Sequence, residues 1–93
     1  MYYNKKDYKL VGFEKSKRKH KKYNAILEKD GKQVRVPFGD KRYENFHDKT
    51  GLNLYPNLLH GDSKRRSLYQ KRHKRFLKKG YYSPGFFSYY YLW

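Results

Sequence analysis

The side chains best suited to bind a ligand in this sequence are basic. They gather in two places: the run Lys15, Lys17, Arg18, Lys19, Lys21 and Lys22, and the segment with Lys64, Arg65, Arg66, Lys71, Arg72, Lys74, Arg75 and Lys78. Each cation that meets a phosphate releases condensed counterions, which gives salt-dependent affinity with little sequence preference. Arginine adds a bidentate fork that fits phosphate oxygens. We predict that these residues contact nucleic-acid phosphates; the alternatives are a solubilising surface or a localisation signal.

Catalytic chemistry has weaker support in the sequence. The histidines are His20, His47, His60 and His73, and their spacing matches no metal-ligand signature. His60-Gly61-Asp62 resembles part of a metal-dependent nuclease, because a hairpin followed by a helix frames some such sites. We expect instead that Asp62 caps a helix and that His60 makes a local hydrogen bond. The prediction is a protein that is not an enzyme, with no catalytic residue, metal site or cofactor.

Composition limits the possible functions further. The chain has 93 residues, with 24 Lys or Arg against 8 Asp or Glu, a formal charge of +16, and no cysteine. Disulfides, thiolate zinc sites and cysteine nucleophiles are therefore excluded. No apolar run approaches the roughly 18 residues of a membrane span, so we expect none. The 12 Tyr, 6 Phe and 1 Trp indicate a folded module despite the high charge, because each ring buries a large area.

A β-hairpin is the clearest element. Residues 23–28 and 33–38 flank Asp30-Gly31, a two-residue hairpin turn signal. Pairing across this turn predicts an apolar face made of the pairs Leu27–Val34, Ala25–Val36 and Tyr23–Phe38. Pro37 cannot donate to the ladder, so the second strand ends there or lies at a sheet edge. Residues 9–13 are expected to add a third strand.

A basic helix is predicted over residues 64–79, with Asp62 or Ser63 as N-cap and Gly80 as the stop. Helical spacing places Tyr69, His73 and Phe76 on one face, with Leu68 and Leu77 beside them. The opposite face carries the cations Lys64, Lys71, Lys74, Arg75 and Lys78. Residues 39–61 are expected to form short helical turns and packed loop, with Asp40 as a possible helix cap. The run 15–22 is expected to be an extended, solvated loop, because like charges repel.

The last thirteen residues are dominated by rings. Left exposed, such a segment aggregates, so we expect it to turn at Ser83-Pro84-Gly85 and pack against the hairpin or helix, or to dock on a partner protein. Stacking on unpaired bases is a further alternative. The predicted protein-interface residues are Phe86, Phe87, Tyr89, Tyr90, Tyr91 and Trp93.

Several of these motifs together resemble a known family. They are Val36-Pro37-Phe38-Gly39-Asp40, Tyr43, Asp48-Lys49-Thr50-Gly51, the run 60–66 with Tyr69 and Arg72-His73, and the ending 82–93. The combination is similar to a family of small basic proteins of unknown function encoded mainly by giant (nucleocytoplasmic large) DNA viruses, and it covers residues 22–93. The resemblance implies a viral source and supplies no activity or catalytic residue.

The sequence thus predicts a small α+β module: an antiparallel hairpin or three-stranded sheet, a C-terminal basic helix, and an aromatic tail packed back on it. A basic, partly mobile segment over 1–22 precedes a domain over 23–93. The predicted function is sequence-independent binding of nucleic-acid phosphates in a virion, with DNA favoured over RNA. The alternative is a minor capsid or scaffold protein that meets an acidic capsid surface or other viral structural proteins. The expected location is the virion, and the host nucleus or a cytoplasmic viral factory during infection.

Overall fold

The structure is a computed structural model that describes residues 2–93. It combines a three-stranded antiparallel sheet, a two-stranded sheet and C-terminal helices, which confirms the predicted α+β class. The elements are β1 (Tyr3–Asn4), β2 (Lys9–Lys15), β3 (Lys21–Lys29), β4 (Lys32–Asp40), a 3₁₀ helix (Pro56–Leu58), α1 (Ser63–His73), a second 3₁₀ helix (Lys74–Phe76), β5 (Tyr81–Tyr82), α2 (Pro84–Phe87) and a π-helical turn (Ser88–Leu92). Within residues 2–93, no helix is long and apolar enough to cross a membrane.

The β3–β4 hairpin forms as predicted. Asp30 and Gly31 both have positive φ angles, 52° and 78°, as the tight primed turns of hairpins require. Pro37 lies inside β4, which is an edge strand of the sheet order β2-β3-β4, so its missing N–H costs no ladder bond. The expected cross-strand pairs are all present: Leu27–Val34, Ala25–Val36 and Tyr23–Phe38.

The third strand is also confirmed and is longer than predicted, because β2 pairs with β3 as far as Lys15. A bulge between Leu10 and Gly12 leaves Val11 as an extra residue on this edge. Near the start of the chain, β1 pairs with β5, which joins Tyr3 to Tyr82. The predicted boundary between segment 1–22 and domain 23–93 falls inside β3, and β1 and β2 both precede it.

The aromatic end folds back over the sheet, which confirms the first of the expected outcomes for this segment. Ser83 caps α2 by accepting a hydrogen bond from the Phe86 N–H, and Pro84 occupies the first turn. This turn directs Phe87 and Leu92 into the core, where they are 0% and 1% exposed. The other fully buried apolar residues come from the sheet: Tyr23, Ala25, Leu27, Val36 and Phe38.

The middle of the chain packs as loop with one short 3₁₀ helix. Phe46 and His47 both donate backbone hydrogen bonds to the Leu92 carbonyl, which fixes this loop to the aromatic end. The predicted helix cap at Asp40 is wrong. The Asp40 carboxylate accepts a hydrogen bond from the Arg42 N–H two residues later, and this local turn competes with a helix.

The basic helix begins where predicted and ends early. Asp62 caps it, but the α-helix stops at His73 and continues only as one 3₁₀ turn to Phe76. No residue of α1 is buried, so tertiary packing does not support a longer helix against the repulsion among its cations. The prediction that His73, Phe76 and Leu68 face the core is wrong for the same reason: all three are exposed.

Candidate nucleic-acid interface

The segment from α1 to the following 3₁₀ helix differs in charge from the rest of the chain. All 8 acidic residues precede Ser63, whereas residues 64–79 hold nine cations. The last of these acids, Asp62, accepts hydrogen bonds from the N–H groups of Lys64 (2.9 Å) and Arg65 (3.3 Å). This cap satisfies two free N–H groups at the helix N-terminus. The result is a short basic helix with a capped N-terminus and no carboxylate after the cap.

The helix is attached to the protein mainly at one residue, Trp93. The Arg66 Nε donates to the Trp93 backbone oxygen at 2.7 Å, and the Gln70 amide donates to the same oxygen at 3.4 Å. The Tyr69 ring stacks on the Trp93 ring with 4.2 Å between centroids and 5° between planes. Because the attachment uses one narrow side of α1, its other sides face water.

Six of the predicted phosphate ligands in this basic segment are exposed and form no ion pair within residues 2–93. Arg75 lies over the Phe76 ring at 5.0 Å, and the Lys78 Nζ lies 5.1 Å from the Tyr81 ring. In these contacts the cationic group lies over a ring and forms no ion pair, so its positive charge remains available to an anion. The six are Lys64, Lys71, Arg72, Lys74, Arg75 and Lys78.

Arg65 and Arg66 differ from these six. Arg66 is half-buried, donates a hydrogen bond to Trp93 and lies 4.7 Å from the Phe46 ring, so it helps to anchor the helix, and its role as a phosphate ligand stays a prediction. Arg65 pairs with Glu44 at 3.0 Å. Both of these side chains are about half exposed, so the pair contributes only about 0 to 1 kcal/mol and an anion can compete for Arg65.

The run 15–22 is not the extended loop that its charge predicts. Ser16 is buried and accepts a hydrogen bond from the Arg18 N–H, which closes a turn between β2 and β3. The side chains on this turn remain exposed: Lys15, Lys17, Arg18 and Lys19. The first three of them border a groove with Glu14 and Arg35 at the edge of the sheet.

Lys22 corrects the prediction most clearly, because it is 1% exposed and cannot reach a phosphate. Its Nζ donates to the Asn45 side-chain oxygen and lies 5.9 Å from the Tyr55 ring. Gly39 makes room for it: a Cβ at that position would lie 3.2 Å from the Lys22 Cβ. Burial lowers the pKa of Lys22, and the nearby Asp48 carboxylate partly opposes this effect.

Lys21, in contrast, joins the helix at a second groove of about 710 Å³. The groove lies between α1 and the loop after β4. Its cationic lining comes from Lys21, Arg65 and Arg72, and its apolar lining comes from Tyr43, Leu68, Tyr69, His73 and Trp93. The structure thus brings Lys21 of the run 15–22 together with the helix, places Lys15, Lys17 and Arg18 at the other groove, and buries Lys22.

Three rings beside this groove form a continuous stack. His73 stacks on Tyr69 with 4.1 Å between centroids and 22° between planes, and Tyr69 stacks on Trp93. The outer end of the stack, His73, is exposed. Burial raises the pKa of the Tyr69 hydroxyl to about 12, and partial desolvation of the His73 ring against its neighbours, helped by the Arg72 charge, lowers the pKa of His73. The stack is therefore uncharged near neutral pH.

The predicted interface residues at the aromatic end have different environments. Phe87 is wholly buried and cannot contact a partner of the folded chain, which corrects its assignment. Tyr90 is 50% exposed, and Trp93 borders the groove. The remaining predicted interface residues are half-buried: Phe86, Tyr89 and Tyr91.

The His60–Asp62 segment has the geometry of a helix start. Asp62 caps α1, and its backbone N–H donates to the His60 Nδ1 at 2.9 Å, as expected. Burial lowers the pKa of His60. Residues 2–93 contain no group of three or more His, Asp or Glu side chains that could hold a metal ion.

Sequence reasoning missed Tyr43 and Arg35 as surface residues near the cations. Tyr43 lies in the segment 39–61, which is predicted to be short helical turns and packed loop, yet it is 64% exposed on the wall of the groove. The Asp40 and Arg42 pair that precedes it signals a local turn, and that signal could have placed Tyr43 at the surface. Arg35 lies on the uncovered face of the sheet and pairs with Glu14 at 3.3 Å.

No protein-family model, curated protein or solved structure matches this chain. The resemblance to a viral family stays a prediction.

Proposed function

We propose that this protein binds nucleic-acid phosphates without sequence specificity and without catalysing a reaction. The observation that carries the proposal is α1 with its following turn, a basic segment free of carboxylates that touches the body at few points and exposes Lys64, Lys71, Arg72, Lys74, Arg75 and Lys78. Such a surface gains affinity by releasing counterions from the phosphate backbone.

The character of these side chains favours binding that ignores sequence. Long, flexible, exposed cations meet phosphates, whereas reading of bases uses groups held in fixed positions against base edges. The amide side chain of α1, Gln70, is directed to the Trp93 backbone oxygen. A duplex major groove is wide enough to admit an α-helix, so DNA is the favoured partner.

The experiment that tests the proposal is a salt titration of binding to duplex DNA. The variant carries Lys64→Gln, Lys71→Gln, Arg75→Gln and Lys78→Gln, four substitutions at exposed positions. The slope of log K against log salt should fall by about 3 to 4, because each lost phosphate contact removes about 0.9. An unchanged slope in a folded variant would refute the proposal.

A matched variant keeps the same charge change and moves it off the helix. Lys6→Gln, Lys9→Gln, Lys29→Gln and Lys32→Gln all lie at exposed positions in or beside the sheet, outside the predicted phosphate ligands. This variant should lose less than half as much slope as the helix variant. Equal losses would show that net charge alone, rather than the helix, determines binding.

In keeping with the resemblance to viral proteins, the proposed setting is a virion, with the genome as the bound polyanion. The alternative is a minor capsid or scaffold protein docked by its aromatic end. This alternative keeps Tyr90 and the half-buried rings as its contact surface, but Phe87 and Leu92 are already used in the core. Loss of particle incorporation in Tyr90→Ala, with DNA binding intact, would favour the alternative.

A further inference from the structure

The groove between α1 and the loop after β4 combines rings and cations, as sites for unpaired bases do. We infer that it binds a segment of single-stranded nucleic acid, whose bases stack on exposed rings while Lys21 and Arg72 contact the phosphates. This inference rests on the proposed function, since it assigns the bound nucleic acid a second mode of contact, beside the one made by the outer face of the helix.

The stack His73–Tyr69–Trp93 supplies the platform. Its two ring contacts have centroid distances of 4.1 Å and 4.2 Å, and the Tyr69 and Trp93 planes are nearly parallel. His73 ends the stack at the surface, where one more flat ring can continue it. Every base has a π face, so this kind of contact tolerates any sequence.

Tyr43 supplies a second ring on the opposite wall. It is 64% exposed and belongs to the loop that follows β4. Leu68, 51% exposed, adds an apolar surface from the helix. Exposed apolar side chains that are scattered singly over a surface carry no meaning. Here several of them line one groove of about 710 Å³, which indicates a binding surface.

The charges around the groove fit an anionic strand. The two carboxylates on its lining are paired with arginines: Asp40 with Arg42 at 2.8 Å, and Glu44 with Arg65 at 3.0 Å. Lys21 and Arg72, in contrast, form no ion pair within the described part of the chain. The groove therefore presents unpaired positive charge beside neutral rings.

A single strand fits these features better than a duplex does. Bases inside a duplex are stacked on each other, so their ring faces are not available to Tyr43 or His73. The outer face of α1 can meet duplex phosphates through other cations, such as Lys71 and Lys74. The two contacts are therefore separable by experiment.

The inference can be tested by tryptophan fluorescence. The sequence has 1 tryptophan, Trp93, and it borders the groove, so its emission reports on this site. Three probes of equal length are compared: oligothymidylate, the same phosphodiester chain with abasic sites throughout, and duplex DNA. Oligothymidylate should quench Trp93 emission and bind about fivefold or more tightly than the abasic chain. Equal affinities for these two probes, or unchanged emission at saturation, would overturn the inference.

Tyr43→Ala is the decisive variant. It should weaken oligothymidylate binding about fivefold or more and leave duplex binding unchanged. Tyr90→Ala is the matched control, since it removes an exposed ring that does not line the groove and should change neither. The urea midpoint of each variant verifies folding. Equal oligothymidylate affinity in a folded Tyr43→Ala protein would overturn the inference.

The duplex probe separates the two proposals. Steep, salt-dependent duplex binding without thymidylate-specific quenching would refute the groove inference and leave the proposed function standing. Absence of binding to all three probes at low salt would refute both.

Discussion

The sheet with its aromatic cover and the helix α1 differ in how they use basic residues. In and around the sheet, cations have mixed environments: Lys22 is enclosed beside Asn45, Arg35 and Arg42 form ion pairs, and others such as Lys9 and Lys32 are exposed. On α1 and the turn after it, Arg65 is paired and Arg66 is anchored, while Lys64, Lys71, Arg72, Lys74, Arg75 and Lys78 face water. The first region therefore determines stability, and the second is available for binding.

The difference follows from where apolar area is buried. The residues below 2% exposure lie on the sheet, the turn that starts at Ser16, or the aromatic end, and none lies on α1. Burial of apolar surface is the main favourable contribution to folding. Substitutions on α1 should therefore change ligand binding with little change in unfolding, and core substitutions should do the reverse.

Phe87→Ala should have the largest effect on stability. Phe87 is fully buried and contacts the Phe38 ring at 5.4 Å and the Tyr82 ring at 5.5 Å. Its loss should lower the free energy of unfolding by about 3 to 5 kcal/mol in urea denaturation. Lys71→Gln is the contrasting variant, expected to change it by less than about 0.5 kcal/mol. Similar losses of unfolding free energy in Phe87→Ala and Lys71→Gln would contradict the distinction between the two regions.

Alkaline pH should destabilise the sheet region through Tyr23. Burial, followed by a hydrogen bond to Asp48, raises the pKa of Tyr23 from 10.0 to about 12. The folded state thus holds this proton more tightly than the unfolded state does. Roughly 2 to 3 kcal/mol of stability is present below pH 10 and is lost as the pH rises to about 12.

Urea denaturation across this pH range measures the effect, and Tyr23→Phe should flatten the decline. Lys22 acts in the opposite sense, since its lowered pKa makes stability rise with pH up to about 10.5. Tyr69, with a pKa also raised to about 12, contributes to the same alkaline decline. A Tyr23→Phe protein with an unaltered pH profile would contradict the assignment to Tyr23.

Asp62→Ala should weaken α1 by about 1 kcal/mol, because the Lys64 and Arg65 N–H groups lose their acceptor. Since no residue of α1 is buried, the loss should appear as lower helicity in circular dichroism, with the unfolding midpoint of the sheet nearly constant. Asp62→Asn retains a capping oxygen and serves as control. A large midpoint shift in Asp62→Ala would show that the helix and sheet unfold together.

Glu44→Gln should have only a small effect on stability. The substitution releases Arg65 from a half-exposed ion pair, which costs less than about 1 kcal/mol. It should raise duplex affinity and increase the salt slope by up to about 1, because one more cation meets a phosphate. Asp30→Asn, in the β3–β4 turn, makes the same charge change away from the helix and should not alter the slope.

Local signals in the sequence predicted the elements that depend on near neighbours. Asp30-Gly31 with alternating apolar residues was enough for the hairpin and its register, and Asp62 was enough for the start of α1. The end of α1 was not predictable in this way. Residues 74–79 have acceptable helix propensity, but none of them is buried, so tertiary packing does not extend the helix.

The groove and the buried lysine depend on distant parts of the chain. Lys22 belongs to the run 15–22, whose like charges predict a solvated loop, but Asn45 and Tyr55 cover it. The groove joins Lys21, Tyr43 and Trp93, which no local pattern connects. The cationic face of the helix could therefore be predicted from the sequence alone, whereas the ring stack beside it became visible only in the tertiary structure.

The position of Phe87 and Leu92 in the chain has a consequence for synthesis on the ribosome. The three-stranded sheet is complete at Asp40, but Phe87 and Leu92, which complete its apolar cover, come after Pro84. At about 5 to 20 residues per second, the ribosome needs roughly 2 to 9 seconds to make the segment between Asp40 and Pro84. During that interval the part of the apolar sheet face that Phe87 and Leu92 later cover is open on the nascent chain.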